Sequence, residues 1–205
     1  MDHAPKLRIA VMASGSGSNL QAVIDRCADG TLHAEVVLVI SNNRDSVALR
    51  RAEAAGIKAL HWSEKAVGSS ERFAAGLIEH LRAARTDLVV LAGYMKLVPP
   101  AAVAAFSGRI LNIHPALLPR FGGKGYYGIR VHQAVLAAGE KETGATVHVV
   151  DDVYDRGPIV MQRRVPVMPG DTPERLRERV LEIEHQLLPE AIAHWAQDRT
   201  RAKTE

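Results

Sequence analysis

A chain of 205 residues with 47% hydrophobic side chains can bury one good core but is too short for two full domains and a linker, so a single domain over 1–205 is expected. Its 26 lysines and arginines against 23 acids leave +3, scattered except at 175–179 and the C-terminal tail, which disfavours nucleic acid as a partner. One cysteine, Cys27, excludes a disulfide framework or cysteine zinc site and suits a reducing cytoplasm; no apolar run nears the roughly 18 residues of a membrane helix, and the N-terminus lacks a signal-like apolar stretch.

In chain order, residues 7–13 form an apolar strand that runs straight into Ser-Gly-Ser-Gly-Ser-Asn at 14–19, with helical spacing from Leu20 to Ile24. Strand, glycine loop and helix in that order make an anion site, because glycines let backbone amides turn inward and a helix N-terminus carries roughly half a positive charge. The loop lacks both the dinucleotide glycine spacing and the lysine of a nucleotide P-loop, so it points to a phosphate on some other molecule, or to a plain turn capped by Ser18 or Asn19. A second buried strand spans 34–40, a helix 47–55 ends at Gly56, and a short strand takes 57–60. Ser69 or Ser70 caps a long amphipathic helix through Ala84, and 88–92 is a fourth strand, apolar throughout. This alternation predicts a doubly wound, mostly parallel sheet with helices on both faces. After the fourth strand, Met95, Leu97 and Val98 are candidates to line a pocket.

Ile110 to Ile113 ends a buried strand that delivers Asn112 and His114 to one face just before Pro115 stops it. An imidazole that exchanges a proton near neutral pH then sits beside an amide that can donate to a developing oxyanion, at the sheet edge where α/β folds bind ligands. Residues 120–128 hold four glycines in nine positions and read as a lid with little order before ligand binds. A short helix at 132–138 follows, then a strand at 143–150 and an antiparallel edge strand at 159–167, where Pro166 favours an edge position. Asp-Thr-Pro-Glu at 171–174 opens a final helix toward Ala196, with 175–179 as its solvated face. Asp155 lies in a turn from which a carboxylate can orient His114 and raise its pKa, with Asp151 and Asp152 as rivals. No serine elbow, zinc-protease motif or paired glutamates occur, and no spacing calls for a metal.

The motifs Gly-Ser-Gly-Ser-Asn at 15–19, Ala-Gly-Tyr-Met at 92–95, Asn-Ile-His-Pro-Ala-Leu-Leu-Pro at 112–119, Thr-Gly-Ala-Thr-Val-His at 143–148, Asp-Arg-Gly-Pro at 155–158 and the segment 179–185 stand in one order along nearly the whole chain. Together they resemble the phosphoribosylglycinamide formyltransferase family, the folate-dependent formyltransferases of purine biosynthesis. The resemblance implies the formyltransferase fold, with a phosphate-binding half at about 1–108 and a catalytic and folate half at about 109–205. It implies transfer of the formyl group of 10-formyltetrahydrofolate to the glycine amine of phosphoribosylglycinamide, in the cytoplasm and without a metal, and it allows a homodimer. By the same resemblance Asn112 would stabilise the oxyanion and touch the folate, His114 would handle the proton, and Asp155 would hold His114 charged. Gly17, Ser18 and Asn19 would cradle the substrate phosphate, Glu184 would face its ribose or glycinamide part, and Met95, Lys96, Leu97 and Val98 would line the pterin pocket, with Arg72 standing in for a folate-contacting arginine that the family often places two residues earlier. Related formyltransferases and formyltetrahydrofolate hydrolases share parts of this pattern, usually in longer chains.

Overall fold

The computed structural model describes residues 5–151 and 153–201. Seven strands are hydrogen-bonded in the order β3-β2-β1-β4-β5-β6-β7, mostly parallel with an antiparallel edge, and the chain divides into two compact units at Ile110/Leu111.

The first unit contains β1 (Leu7–Met12), α1 (Ser18–Ala28), β2 (Ala34–Ser41), α2 (Val47–Ala54), β3 (Ala59–His61), α3 (Glu64–Val67), α4 (Ser70–Ala83), β4 (Leu88–Leu91) and α5 (Pro100–Ala105). All of its strand pairs are parallel: β1 pairs with β2 on one side and β4 on the other, and β3 joins β2. Ile9, Val11, Met12, Leu38, Ile40, Leu88 and Val90 are essentially inaccessible. Such strands read as unbroken apolar runs because both faces of a parallel sheet are covered. The third strand lies at 59–61, two residues later than the hydrophobic run suggested, and the short helices α3 and α5 had no counterpart in the sequence pattern. Ser69 caps α4 by accepting the Arg72 amide at 3.1 Å.

The second unit contains β5 (Ile110–His114), whose first residue belongs to the preceding unit, then α6 (Ile129–Ala137), β6 (Glu142–Val149), β7 (Ile159–Pro166) and α7 (Pro173–Arg201). β6 runs antiparallel to both β5 and β7, with Asn112 opposite His148 and His114 opposite Thr146. α7 packs on β6, β7 and α6 through Leu176, Val180, Leu187, Leu188 and Ile192, all fully buried. Five such side chains contribute on the order of 10 kcal/mol of hydrophobic stabilisation before chain entropy is subtracted. The arginine-rich start of α7 is not simply a solvated face. Arg179 forks onto Asp171 at 2.5 and 2.9 Å, and this pairing holds the Asp171 carboxyl down at about 2. Among the described residues no helix is long and apolar enough to cross a membrane.

Candidate active site

β5 and β6 build the chemistry. Asn112 and His114 are two residues apart on β5 and so share a face, which the pairing Asn112–His148 brings against β6. Asp155 comes from the turn between β6 and β7 and is held at φ 53°, a conformation that is costly for a residue with a Cβ and that tends to accompany a functional constraint. Its carboxylate is the centre of the cluster. Oδ2 lies 3.6 Å from His114 Nδ1 and accepts the Gly123 amide at 2.8 Å. Oδ1 lies 3.4 Å from His148 Nε2 and 3.5 Å from Asn112 Nδ2. Asn112 Nδ2 in turn lies 3.0 Å from His148 Nε2.

Burial decides the charges. His114 is 4% exposed, and that desolvation outweighs the pull of Asp155 and of the Phe121 carbonyl, so its pKa falls below the ordinary histidine value. At pH 7 this favours the neutral ring in the ligand-free protein, against the charge that Asp155 was expected to hold on it. Its bonding agrees. Nε2 lies 2.8 Å from the Phe121 carbonyl, which can only accept, so Nε2 carries a proton; at 3.6 Å Nδ1 makes no hydrogen bond to Asp155. Burial raises the Asp155 carboxyl too, but the protons that His148 and His114 can carry on the nitrogens facing it, and the Gly123 amide that donates to Oδ2, hold it below the usual carboxylate range. Asp155 remains an anion.

The 120–128 segment makes several contacts with the site. Phe121 and Gly123 dock by backbone onto His114 and Asp155, Arg120 pairs with Glu140, and the Phe121 and Tyr126 rings meet edge to face. Gly122 suits this docking, since a Cβ there would lie 2.4 Å from Leu118 Cδ2 and 3.2 Å from Asp155 Cβ and would push both aside. The segment behind His114 is also tied down: Thr146 donates to the Ala116 carbonyl at 2.6 Å and accepts the Leu118 amide at 3.1 Å, and Gln162 donates to the Leu118 carbonyl at 2.9 Å.

Of the rival carboxylates, Asp151 caps its own turn by accepting the Val153 amide at 2.9 Å, and Asp152 lies outside the described residues. Glu184 is buried on the inner face of α7, where a carboxylate is rare unless partnered. Sequence reasoning did not single out His148, the Phe121 carbonyl or the Gly123 amide. His148 stood inside a quoted motif, but its role depends on the β5–β6 register.

In the first unit, the loop after β1 reaches α1 through Gly17, which is the N-cap in the left-handed conformation (φ 68°), with no side-chain cap of the kind that the alternative reading of a plain turn gave to Ser18 or Asn19. A Cβ on Gly17 would lie 2.7 Å from Ala48 Cα, whereas one on Gly15 would meet nothing within 4 Å. Ser14 holds three strand ends together: its hydroxyl donates to Asn42 at 2.5 Å and accepts the Met95 amide at 2.8 Å, and its own amide donates to the Gly93 carbonyl at 3.1 Å. Arg51 on α2 donates to the Ser16 carbonyl at 2.9 Å, which adds a positive charge beside the loop. Met95 and Leu97 are half exposed, Lys96 is exposed and Val98 is buried. Arg72 is exposed on the first turn of α4.

The family model described as formyl transferase matches residues 7–192. The chain is 40% identical over 195 residues to the phosphoribosylglycinamide formyltransferase of Escherichia coli, covering 95% of this chain and 90% of that one. It is 46% identical over 188 residues to the trifunctional purine biosynthetic protein adenosine-3 of Drosophila melanogaster, covering 91% of this chain but only 14% of that protein. The crystal structure of glycinamide ribonucleotide transformylase 1 from Symbiobacterium toebii superposes with a TM-score of 0.90 at 46% identity, covering 96% of this chain and 91% of that one. With 186 consecutive residues matched and the Asn112, His114 and Asp155 side chains gathered on one edge of β5, the chain belongs to the formyl transferase family.

Proposed function

We propose that this protein transfers the formyl group of 10-formyltetrahydrofolate to the glycine amine of phosphoribosylglycinamide, giving the N-formyl product and tetrahydrofolate. The observation that carries the reading is the convergence of an amide, an imidazole and a carboxylate on one buried spot, Asn112, His114 and Asp155, the parts that acyl transfer to an amine requires. When the amine nitrogen attacks the formyl carbon, Asn112 donates an N–H to the oxygen as it becomes negative. As the bond from carbon to the folate nitrogen breaks, a proton must leave the new amide nitrogen and reach the departing one.

His114 is the carrier. For this, substrate displaces the Phe121 carbonyl from Nε2, and Asp155 captures the proton on Nδ1, which leaves Nε2 free to accept from the amine and deliver to the folate. Asp155 stabilises the imidazolium that exists between those two steps. Gly15 to Asn19 with the α1 N-terminus bind the substrate phosphate, the half-exposed Met95 and Leu97 with Lys96 and Val98 line the pterin pocket, Arg72 meets the folate, and Glu184 faces the substrate's ribose or glycinamide part. The reading includes a cytoplasmic enzyme, open to pairing as a homodimer, whose partners are small molecules.

Mixing the protein with both substrates should change the folate absorbance as it is deformylated, with one N-formyl product formed per folate consumed. Release of formate from the folate at the same rate without the amine would replace this reading with a hydrolase.

A further inference from the structure

His148 is 2% exposed, stands opposite Asn112 across the β5–β6 ladder and has no part in the proton path described above. Its bonding fixes its form. Nδ1 lies 3.0 Å from the Val149 carbonyl, which only accepts, so Nδ1 carries the proton. Nε2 makes its shortest contact, 3.0 Å, with Asn112 Nδ2, and an amide nitrogen only donates, so in this arrangement Nε2 receives that N–H on its lone pair. Both contacts are satisfied by one state, the neutral ring with its hydrogen on Nδ1. A carboxamide can otherwise turn end for end at little cost, exchanging the donor that an oxyanion needs for an acceptor that would repel it.

We propose that His148 is a positioning residue for formyl transfer: its Nε2 takes one N–H of Asn112 and thereby holds the other N–H of that amide ready for the formyl oxygen. In the ligand-free protein this second N–H has only the Asp155 oxygen at 3.5 Å, at the far limit of a hydrogen bond, so it is released at little cost. A competing arrangement exists. The same Nε2 lies 3.4 Å from Asp155 Oδ1, and a charged His148 would donate there and turn the Asn112 oxygen toward itself, the wrong end for catalysis. The geometry disfavours it, because the contact exceeds the usual 2.7–3.2 Å and Asp155 already faces His114.

The inference rests on the proposed formyl transfer, and two measurements separate its failure from the failure of that reading. The first needs no turnover: nitrogen NMR of the wild-type protein at pH 7 should show His148 neutral with Nδ1 protonated. A charged ring, or a proton on Nε2, overturns the clamp whatever the enzyme's substrate.

The second is a kinetic comparison. His148→Leu, which removes the acceptor, should lower kcat by about 10- to 100-fold with both KM values within about twofold, while His148→Gln, whose amide oxygen can reach the place of Nε2, should recover most of that loss. The proposed mechanism rests neither substrate on His148, so a merely structural role would not divide kcat from KM in this way. In an Asn112→Ala background the same His148→Leu change should cost less than about twofold, because the two side chains act as one unit. An undiminished loss in that background, or a His148→Gln variant as impaired as His148→Leu while equally well folded, overturns the inference. A wild-type enzyme inactive on both substrates overturns the functional reading and leaves the NMR result to decide the clamp.

Discussion

Replacing Asp155 with asparagine removes one charge while keeping the shape of the side chain. In the proposed mechanism His114 becomes an imidazolium between accepting and delivering the proton, and Asp155 Oδ2 lies 3.6 Å from its Nδ1 with both side chains nearly buried. Two unit charges at that distance attract by about 5 kcal/mol at an effective dielectric of about 20. Water and side-chain relaxation return part of this in the variant, so about 3 kcal/mol of transition-state stabilisation is lost, which is roughly 10²-fold in kcat. Substrate KM values should hold, since the phosphate loop and the 95–98 stretch are untouched.

The pH profile carries the sharper test. A neighbouring carboxylate favours the charged ring, so removing it lowers the His114 pKa further below its already depressed position. The acid limb of kcat/KM, where His114 protonates in the free enzyme, should therefore move to lower pH even as the plateau falls. Steady-state rates of the wild type, Asp155→Asn, His114→Ala and the double variant across pH 5–9 check this. An unmoved acid limb, or losses that multiply in the double variant, would refute the coupling, because residues acting as one unit are not additive.

Three further outcomes follow from the geometry. Gly15→Ala has open space around its new Cβ, so it should unfold at nearly the wild-type temperature yet raise the KM for the phosphorylated substrate far more than for the folate; Gly17→Val, forced against the Ala48 backbone at positive φ, should mainly lose stability, and a Gly15→Ala enzyme with unchanged KM would remove the loop from the phosphate site. In the ligand-free protein the Gly123 amide, bonded to Asp155, should exchange its hydrogen slowly, and Gly122→Ala should speed that exchange by about tenfold or more; fast exchange in the wild type would show that the loop is not docked. His132 is 1% exposed with its Nδ1 unpartnered, and burial lowers its pKa to about 4. Because the folded value lies below the unfolded one of 6.5, its neutral form supports the fold fully above pH 6.5 and that support is lost as pH falls toward 4, a loss of about 3 kcal/mol. Urea unfolding at pH 7 and pH 4 should show a smaller acid loss in His132→Leu, and an equal loss would rule this histidine out as a source of acid sensitivity.

The parallel strands were legible because a strand covered on both faces must be apolar along its buried length, as 9–13 and 88–92 are. α3 and α5 were not, since four and six residues give too few turns for a helical period to show. At the site, Asn112 and His114 could be read together because their two-residue spacing places them on one face whatever the rest of the fold does. His148 could not. Its role depends on which residue of β5 it opposes, and a shift of one position would have sent it to the other face of the sheet. The protonation of His114 is hard to read from sequence for a related reason: the spacing reveals the carboxylate partner, but the burial that works against it belongs to the packed chain.

That burial also explains why the 121–123 backbone lies where it does. A neutral His114 with its proton on Nε2 needs an acceptor there, and Asp155 keeps its charge in a nearly dry site only with donors on its oxygens. Phe121 supplies the acceptor and Gly123 a donor, two residues apart on one loop, so a single displacement uncovers both groups at once. A substrate that enters must then offer what the loop withdrew: an oxygen or nitrogen able to accept from His114, and a compensating donor for Asp155, which is His114 itself once its proton moves to Nδ1. In the proposed mechanism loop departure and the tautomer change go together, since each would leave an unpaired buried group without the other. A folate analogue that presents no acceptor to Nε2 should accordingly bind while the Gly123 amide stays slow to exchange, whereas one with a carbonyl at the formyl position should speed that exchange; equal exchange rates with both would separate the loop from the chemistry.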